Sequence, residues 1–236
     1  MCSLRDRTIL LAGGSGGLGS ACARSLAAEG AQLIVSYHSN EQRARELSGI
    51  AEIVQADLTN AQDRKRLLDA APTLYGLVVF TGNPSRAADP EEAMRISNEV
   101  NYLGPALLAR EAAGRMKAAQ TPGAIVLFST MQSQALFPGS IAYAGAKSAL
   151  THAARILAKE CRGPANIRVN VIAPGVTQAG MAEASIAAGK YQRYLDDGTI
   201  PRYGRPEDIA RAVRFFLEPD NFITGQVLAV DGGLTL

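Results

Sequence analysis

Tyr143 and Lys147 stand four residues apart in AYAGAK, after the turn residues Pro138 and Gly139 and with Ser140 at the place of an N-cap. That spacing predicts one helix with both side chains on the same face. A free phenol titrates at about 10 and is a poor acid or base at neutral pH, but a neighbouring ammonium favours the phenolate and lowers that value. The pair is therefore a candidate proton donor and acceptor. Near the other end of the chain, Leu10 to Ser20 reads LLAGGSGGLGS and fits two chemistries. Gly13 to Gly17 match G-x-S-x-G, the nucleophile elbow of a serine hydrolase with Ser15 as nucleophile. Gly14, Gly16 and Gly19 match G-x-G-x-x-G, a loop that offers a helix N-terminus to a dinucleotide pyrophosphate.

The elements that position these residues decide between the two. Short apolar runs, TILLAG, AQLIVSY, AEIVQAD, YGLVVFTG, GAIVLFST, IRVNVIAPG and GQVLAVDGG, alternate with stretches long enough for crossover helices. This pattern predicts an α/β fold, a single doubly wound Rossmann domain over residues 1–236 with a seven-stranded parallel sheet and helices on both faces. A nucleophile elbow needs a late histidine, yet His152 is followed by two further strands and the other histidine is His38. A dinucleotide loop belongs after the first strand, where the glycines are. Residues 176–205 have no strand pattern and carry Tyr191, Tyr194 and Tyr203, as a substrate lid placed after a strand would.

Composition narrows the class. The chain is 47% hydrophobic and 19% charged with a formal net charge of +2, enough for one substantial core and without a basic cluster to attract nucleic acid or an anionic membrane. The short apolar run at the N-terminus and the lack of a long apolar segment predict a cytoplasmic protein. Cys2, Cys22 and Cys161 lack metal-ligand spacing and read as reduced thiols, and no metal is expected.

Further stations share a pattern. Asp57-Leu58 follows the third strand. Asp89, Pro90, Glu91 and Glu92 start a helix in which Pro105 has no N–H for the Asn101 carbonyl, so a kink is expected there. FSTMQSQALFPGSIAYAGAKSAL carries Tyr143 and Lys147, RVNVIAPGV contains N-x-x-x-P-G, and the C-terminal part has ITGQ and DGG. With Ala12-Gly13 and Gly17-Leu18-Gly19, the whole chain resembles the short-chain dehydrogenase/reductase family. The resemblance implies a cofactor site at Gly13, Ser15, Gly16, Gly17, Leu18 and Gly19, with Asp57 and Leu58 beside the adenine and Gly82 beneath the cofactor. Pro174, Gly175, Val176 and Thr177 would lie near the nicotinamide, and Tyr143 and Lys147 would touch it. It also implies that Tyr143 exchanges a proton with the substrate oxygen, that Lys147 holds the ribose, and that Asn101 holds a relay water. The family's serine, thirteen residues before the tyrosine, falls on Thr130. Its neighbour Ser129 is the fallback, although a strand should turn it the other way. Three stations depart from the family pattern. Ala12 replaces a threonine, Val79-Phe80-Thr81-Gly82 replaces N-N-A-G and weakens bracing of the strand ends, and Ala179 stands where a threonine anchors the cofactor, with Thr177 as a possible substitute.

The activity implied is NAD(P)-dependent interconversion of a small-molecule carbonyl (ketone, aldehyde or ketoacyl) and an alcohol. The alternatives are a non-catalytic NAD(P)-binding sensor and an isomerase or lyase of the same family. Tyr37 occupies the place of the acid that holds the NAD ribose, so nothing there repels a 2′-phosphate, and His38, Ser39 and Arg43 can receive it. NADP is expected, with NAD as the alternative. Helices rich in alanine and glycine imply, by the same resemblance, a homotetramer or homodimer.

Overall fold

Alternate residues of β1 (Thr8–Ala12) face opposite ways. Leu10 and Ala12 enter one core and Ile9 and Leu11 another, as the two-residue period of a strand buried on both faces requires. The computed structural model describes residues 4–84 and 87–236; Cys2 lies outside the described residues. The chain continues through α1 (Gly17–Ala28), β2 (Gln32–Tyr37), α2 (Glu41–Arg45), β3 (Glu52–Gln55), α3 (Ala61–Asp69) and β4 (Leu74–Val79). It then forms α4 (Pro90–Asn98), α5 (Gly104–Ala118), β5 (Gly123–Phe128), α6 (Ile141–Glu160) and β6 (Ile167–Pro174). The last elements are α7 (Glu183–Ala187), α8 (Arg193–Asp196), α9 (Pro206–Leu217) and β7 (Val227–Val230).

All seven strands are parallel, in the order β3-β2-β1-β4-β5-β6-β7. The expected runs became the strands. Leu67 of α3, Leu108 and Ala112 of α5, and Leu150 and Ala154 of α6 fill the core on one face. Cys22 and Leu26 of α1 with Ile209, Val213 and Phe216 of α9 fill the other. The direction of winding reverses between β1 and β4, which leaves a crevice at the carboxyl ends of those two strands. The functional residues gather there.

The kink expected at Pro105 takes a definite form. Between α4 and α5, Glu99–Leu103 is a π turn, with the Gly104 N–H on the Glu99 carbonyl. It places Asn101, fully buried, on the inner side. Asp89 caps α4 through its carboxylate, which accepts from Glu92 N at 2.8 Å. Ser140 does occupy the N-cap position of α6, but its hydroxyl donates back to the Phe137 carbonyl at 2.6 Å and caps nothing. Residues 176–205 leave and rejoin the body at one place, where Thr177 bridges Gly204. Val176, Ile200 and Tyr203 pack with Met131 into a small core, and Tyr191 and Tyr194 lie against it. These tyrosines hold the segment together.

A Cβ on Gly19 would lie 2.5 Å from the Gly14 Cα, so α1 and the loop before it touch backbone to backbone. Gly19→Ala forces the two apart. Overpacking of this kind costs about 1–3 kcal/mol, so thermal unfolding of the variant is expected roughly 2–12 °C lower. An unchanged midpoint would show that the loop has slack.

Candidate active site

The glycine loop is built by contacts that exclude side chains. Gly13 has φ +70°, and a Cβ there would meet the Thr81 methyl at 3.0 Å. A Cβ on Gly14 would lie 2.7 Å from the Leu11 Cβ. The Gly13 N–H donates to the Ser36 hydroxyl of β2 at 2.9 Å, a brace in the region where the resemblance placed a threonine at residue 12. α1 begins at Gly16 with no side-chain cap and no acid in its first turn. Its free N–H groups and positive dipole end therefore lack a counter-charge. A cradle that admits no Cβ, backed by an unneutralised helix end, fits a diphosphate. Among the described residues no hydrogen bond joins Ser15 to His38 or His152, and His152 is exposed on α6, so the hydrolase constellation is absent there.

Tyr143, Lys147, Thr130 and Asn101 meet around the loop after β4. The Tyr143 hydroxyl and the Asn101 Oδ1 each lie 3.8 Å from where a Gly82 Cβ would be, and the Met181 methyl lies 3.3 Å from it. Lys147, buried, donates from Nζ to the carbonyls of Thr81 at 2.9 Å and Phe128 at 2.8 Å. Asn101 is bonded in both directions to one residue, accepting from Asn83 N at 2.7 Å and donating to Asn83 O at 2.8 Å. Its Nδ2 also donates to the Ser97 hydroxyl at 2.9 Å. Its amide thus fixes the loop that carries Gly82.

The electrostatics differ from the expectation. Burial pushes the Tyr143 phenol up to about 12, opposed by a hydrogen bond with Thr130. Burial takes Lys147 down to about 7. Each group is thus driven towards its neutral form.

The strand separates Ser129 from Thr130 as its period requires. Thr130 faces Tyr143, whereas the Ser129 hydroxyl is tied to Ser133 at 2.8 Å, to the Lys147 carbonyl at 3.2 Å and to Thr151 at 2.7 Å. The missing asparagines after β4 are replaced by an apolar brace, Phe80 against Phe128 with centroids 4.6 Å apart.

The remaining predicted positions divide. Leu18 is half-buried against the α1–α9 core. Tyr37 ends β2, and His38 and Ser39 beyond it are exposed. His38 Nε2 is 3.7 Å from an Asp57 carboxylate that also accepts from Thr59 N and Oγ1. The Leu58 carbonyl accepts from the buried Arg64 at 2.9 Å. Gly175 follows Pro174 because a Cβ there would lie 2.6 Å from Asp231 Cα. Val176 is buried in the small core with Met131, Ile200 and Tyr203. Thr177 is buried as well. Its hydroxyl bonds the Gly175 carbonyl at 3.2 Å, and it is Ala179 that meets the glycine loop, 3.0 Å from the Gly17 Cβ position. Ser36 and Ser97 were not anticipated. The signal for Ser36 was a lone hydroxyl in the apolar run LIVSY.

A family model described as enoyl-(acyl carrier protein) reductase matches residues 12–235. With this fold and site, the chain belongs to the short-chain dehydrogenase/reductase family. A Methylorubrum extorquens protein named as an oxidoreductase is 34% identical, with 99% of this chain and 100% of the other covered. The 3beta-hydroxysteroid dehydrogenase 1 of Eggerthella lenta is 32% identical over 99% of this chain and 95% of its own. A short-chain type dehydrogenase/reductase from Mycobacterium ulcerans superposes with a TM-score of 0.89 at 28% identity, covering 99% of this chain and 91% of that one. No helix among the described residues is long and apolar enough to cross a membrane.

Lys147 sets a pH dependence. Its value falls from 10.5 unfolded to about 7 folded, so between those limits the unfolded chain holds the extra proton and stability rises with pH. The desolvation cost is fully present below about pH 7 and is relieved towards pH 10. Measured by thermal unfolding, the native chain should gain on Lys147→Met as the pH goes from about 7 to about 9.5. A constant difference would mean that the amine stays charged in the fold.

Proposed function

We propose that this chain is an NADP-dependent oxidoreductase that interconverts a carbonyl and an alcohol on a small molecule. The observation that carries this reading is the meeting of the Tyr143 hydroxyl, Thr130 and Lys147 beside Gly82, at the mouth of the glycine cradle. Gly13, Gly16, Gly17 and Gly19 would hold the diphosphate, and Asp57 with Leu58 would border the adenine. When bound, the nicotinamide supplies or accepts hydride at the substrate carbon.

The side chains handle the proton. A phenol held up at about 12 is fully protonated at neutral pH, which suits a donor to the oxygen of a carbonyl being reduced. Thr130, already bonded to that phenol, orients the same oxygen. A Lys147 ammonium has three donors; two are on carbonyls, which leaves one for a ribose hydroxyl. The Asn101 amide holds Gly82 in place, and Pro105, which lacks an N–H, makes no bond to its carbonyl. Preference for NADP is supported by Tyr37 in place of an acid, with His38 and Ser39 exposed next to it.

Exposed apolar residues support a homotetramer. Leu103 and Ile156 lie on the α5–α6 side, and Phe215 and Phe222 at and beyond α9. Two such faces give two dyads. Light scattering should report four chains, and Ile156→Lys should reduce the particle to two; a native monomer would remove this part of the reading.

Activity is tested by following nicotinamide absorbance over a panel of ketones and aldehydes. Tyr143→Phe is expected to lower kcat by about 10²–10⁴-fold. Thr130→Ser should retain turnover and Thr130→Val lose it. Cofactor binding without turnover of any panel member would favour a sensor.

A further inference from the structure

Arg43 stands on α2, just beyond the end of β2, and its place in the sequence suggested a partner for a 2′-phosphate. It reaches the glycine loop, with Nη2 3.4 Å from the Gly17 Cβ position. The same point is 3.0 Å from the Ala179 Cβ and 3.0 Å from the Gly180 N–H. Gly17 is the first residue of α1, whose opening turn has no acid and no side-chain cap. Arg43 is part-buried, and among the described residues no carboxylate pairs with its guanidinium. A cation held against the positive end of a twelve-residue helix, with no counter-charge, is unfavourable by itself and becomes favourable with an anion between the two.

We propose that Arg43 clamps the cofactor diphosphate against the N-terminus of α1, at the point where Ala179 stands in place of the hydroxyl that the family resemblance expects. The inference rests on the dinucleotide reading above. The guanidinium fork can take two phosphate oxygens at once, and the diphosphate is common to NAD and NADP. Arg43 therefore contributes to affinity for both and not to the choice between them, which falls to residues 37–39.

The test is direct binding, read by reduced-nicotinamide fluorescence, with NADPH and NADH as probes and the full chain as sample. Arg43→Gln should weaken both by a similar factor, about tenfold, and leave their ratio within about twofold. Adding Ala179→Thr to that variant should recover much of the loss for both, and Arg43→Lys should recover part, because it restores the charge without the fork. Weakening of NADPH alone would assign Arg43 to the 2′-phosphate and overturn the proposal, as would unchanged binding of both. A thermal midpoint near that of the native chain excludes misfolding as the cause; a loss of both that Ala179→Thr and Arg43→Lys leave unrepaired also counts against the clamp. If the native chain binds neither probe, the dinucleotide reading itself fails, which is a distinct result.

Discussion

The Lys147 ammonium lies in the protein interior under two backbone carbonyls, those of Thr81 just past β4 and Phe128 at the end of β5. A buried cation without such partners is strongly destabilising, so these two bonds tie α6 to the ends of β4 and β5 alongside its core packing. That placement carries the Tyr143 hydroxyl to Gly82, and it sets the loop after β4 at the same time, because the Thr81 carbonyl belongs to that loop. The Asn83–Asn101 pair then holds the loop from the α4–α5 side. The geometry of the candidate site and that of the sheet ends thus share the same bonds.

The protonation states follow from the same enclosure. The site that removes water from the lysine also removes it from the tyrosine, and each is driven towards its neutral form. Burial alone supplies both shifts, in opposite directions, because one group is charged when it loses a proton and the other when it gains one.

Much of this architecture was legible beforehand. The strands were legible because each is a short apolar run, and both faces of the sheet are covered. Tyr143 and Lys147 were legible because an interval of four residues is one helical turn. Thr130 could be chosen over Ser129 because a strand turns alternate residues apart. What escaped were contacts between residues far apart in the chain. Ser36 bracing Gly13, Phe80 against Phe128, and the reach of a long flexible arginine to Gly17 leave no local pattern. The approach of Ala179, within the segment of residues 176–205, to Gly17 is a contact of the same kind. The burial that raises the phenol also left no local pattern, because spacing reports proximity and says nothing of desolvation.

A π turn is an ordinary helix carrying one surplus residue. In Glu99–Leu103 that surplus takes up the mismatch between α4, set by its Asp89 cap and its packing on α6, and α5, set by the core beneath the sheet. Deleting one residue from this stretch would leave an unbroken helix, and everything beyond the deletion would turn by about 100° relative to α4. Homologues and engineered variants can therefore be sorted by length here. Chains shorter by one must have found another way to aim their asparagine, whereas substitutions that keep the count leave the swivel intact.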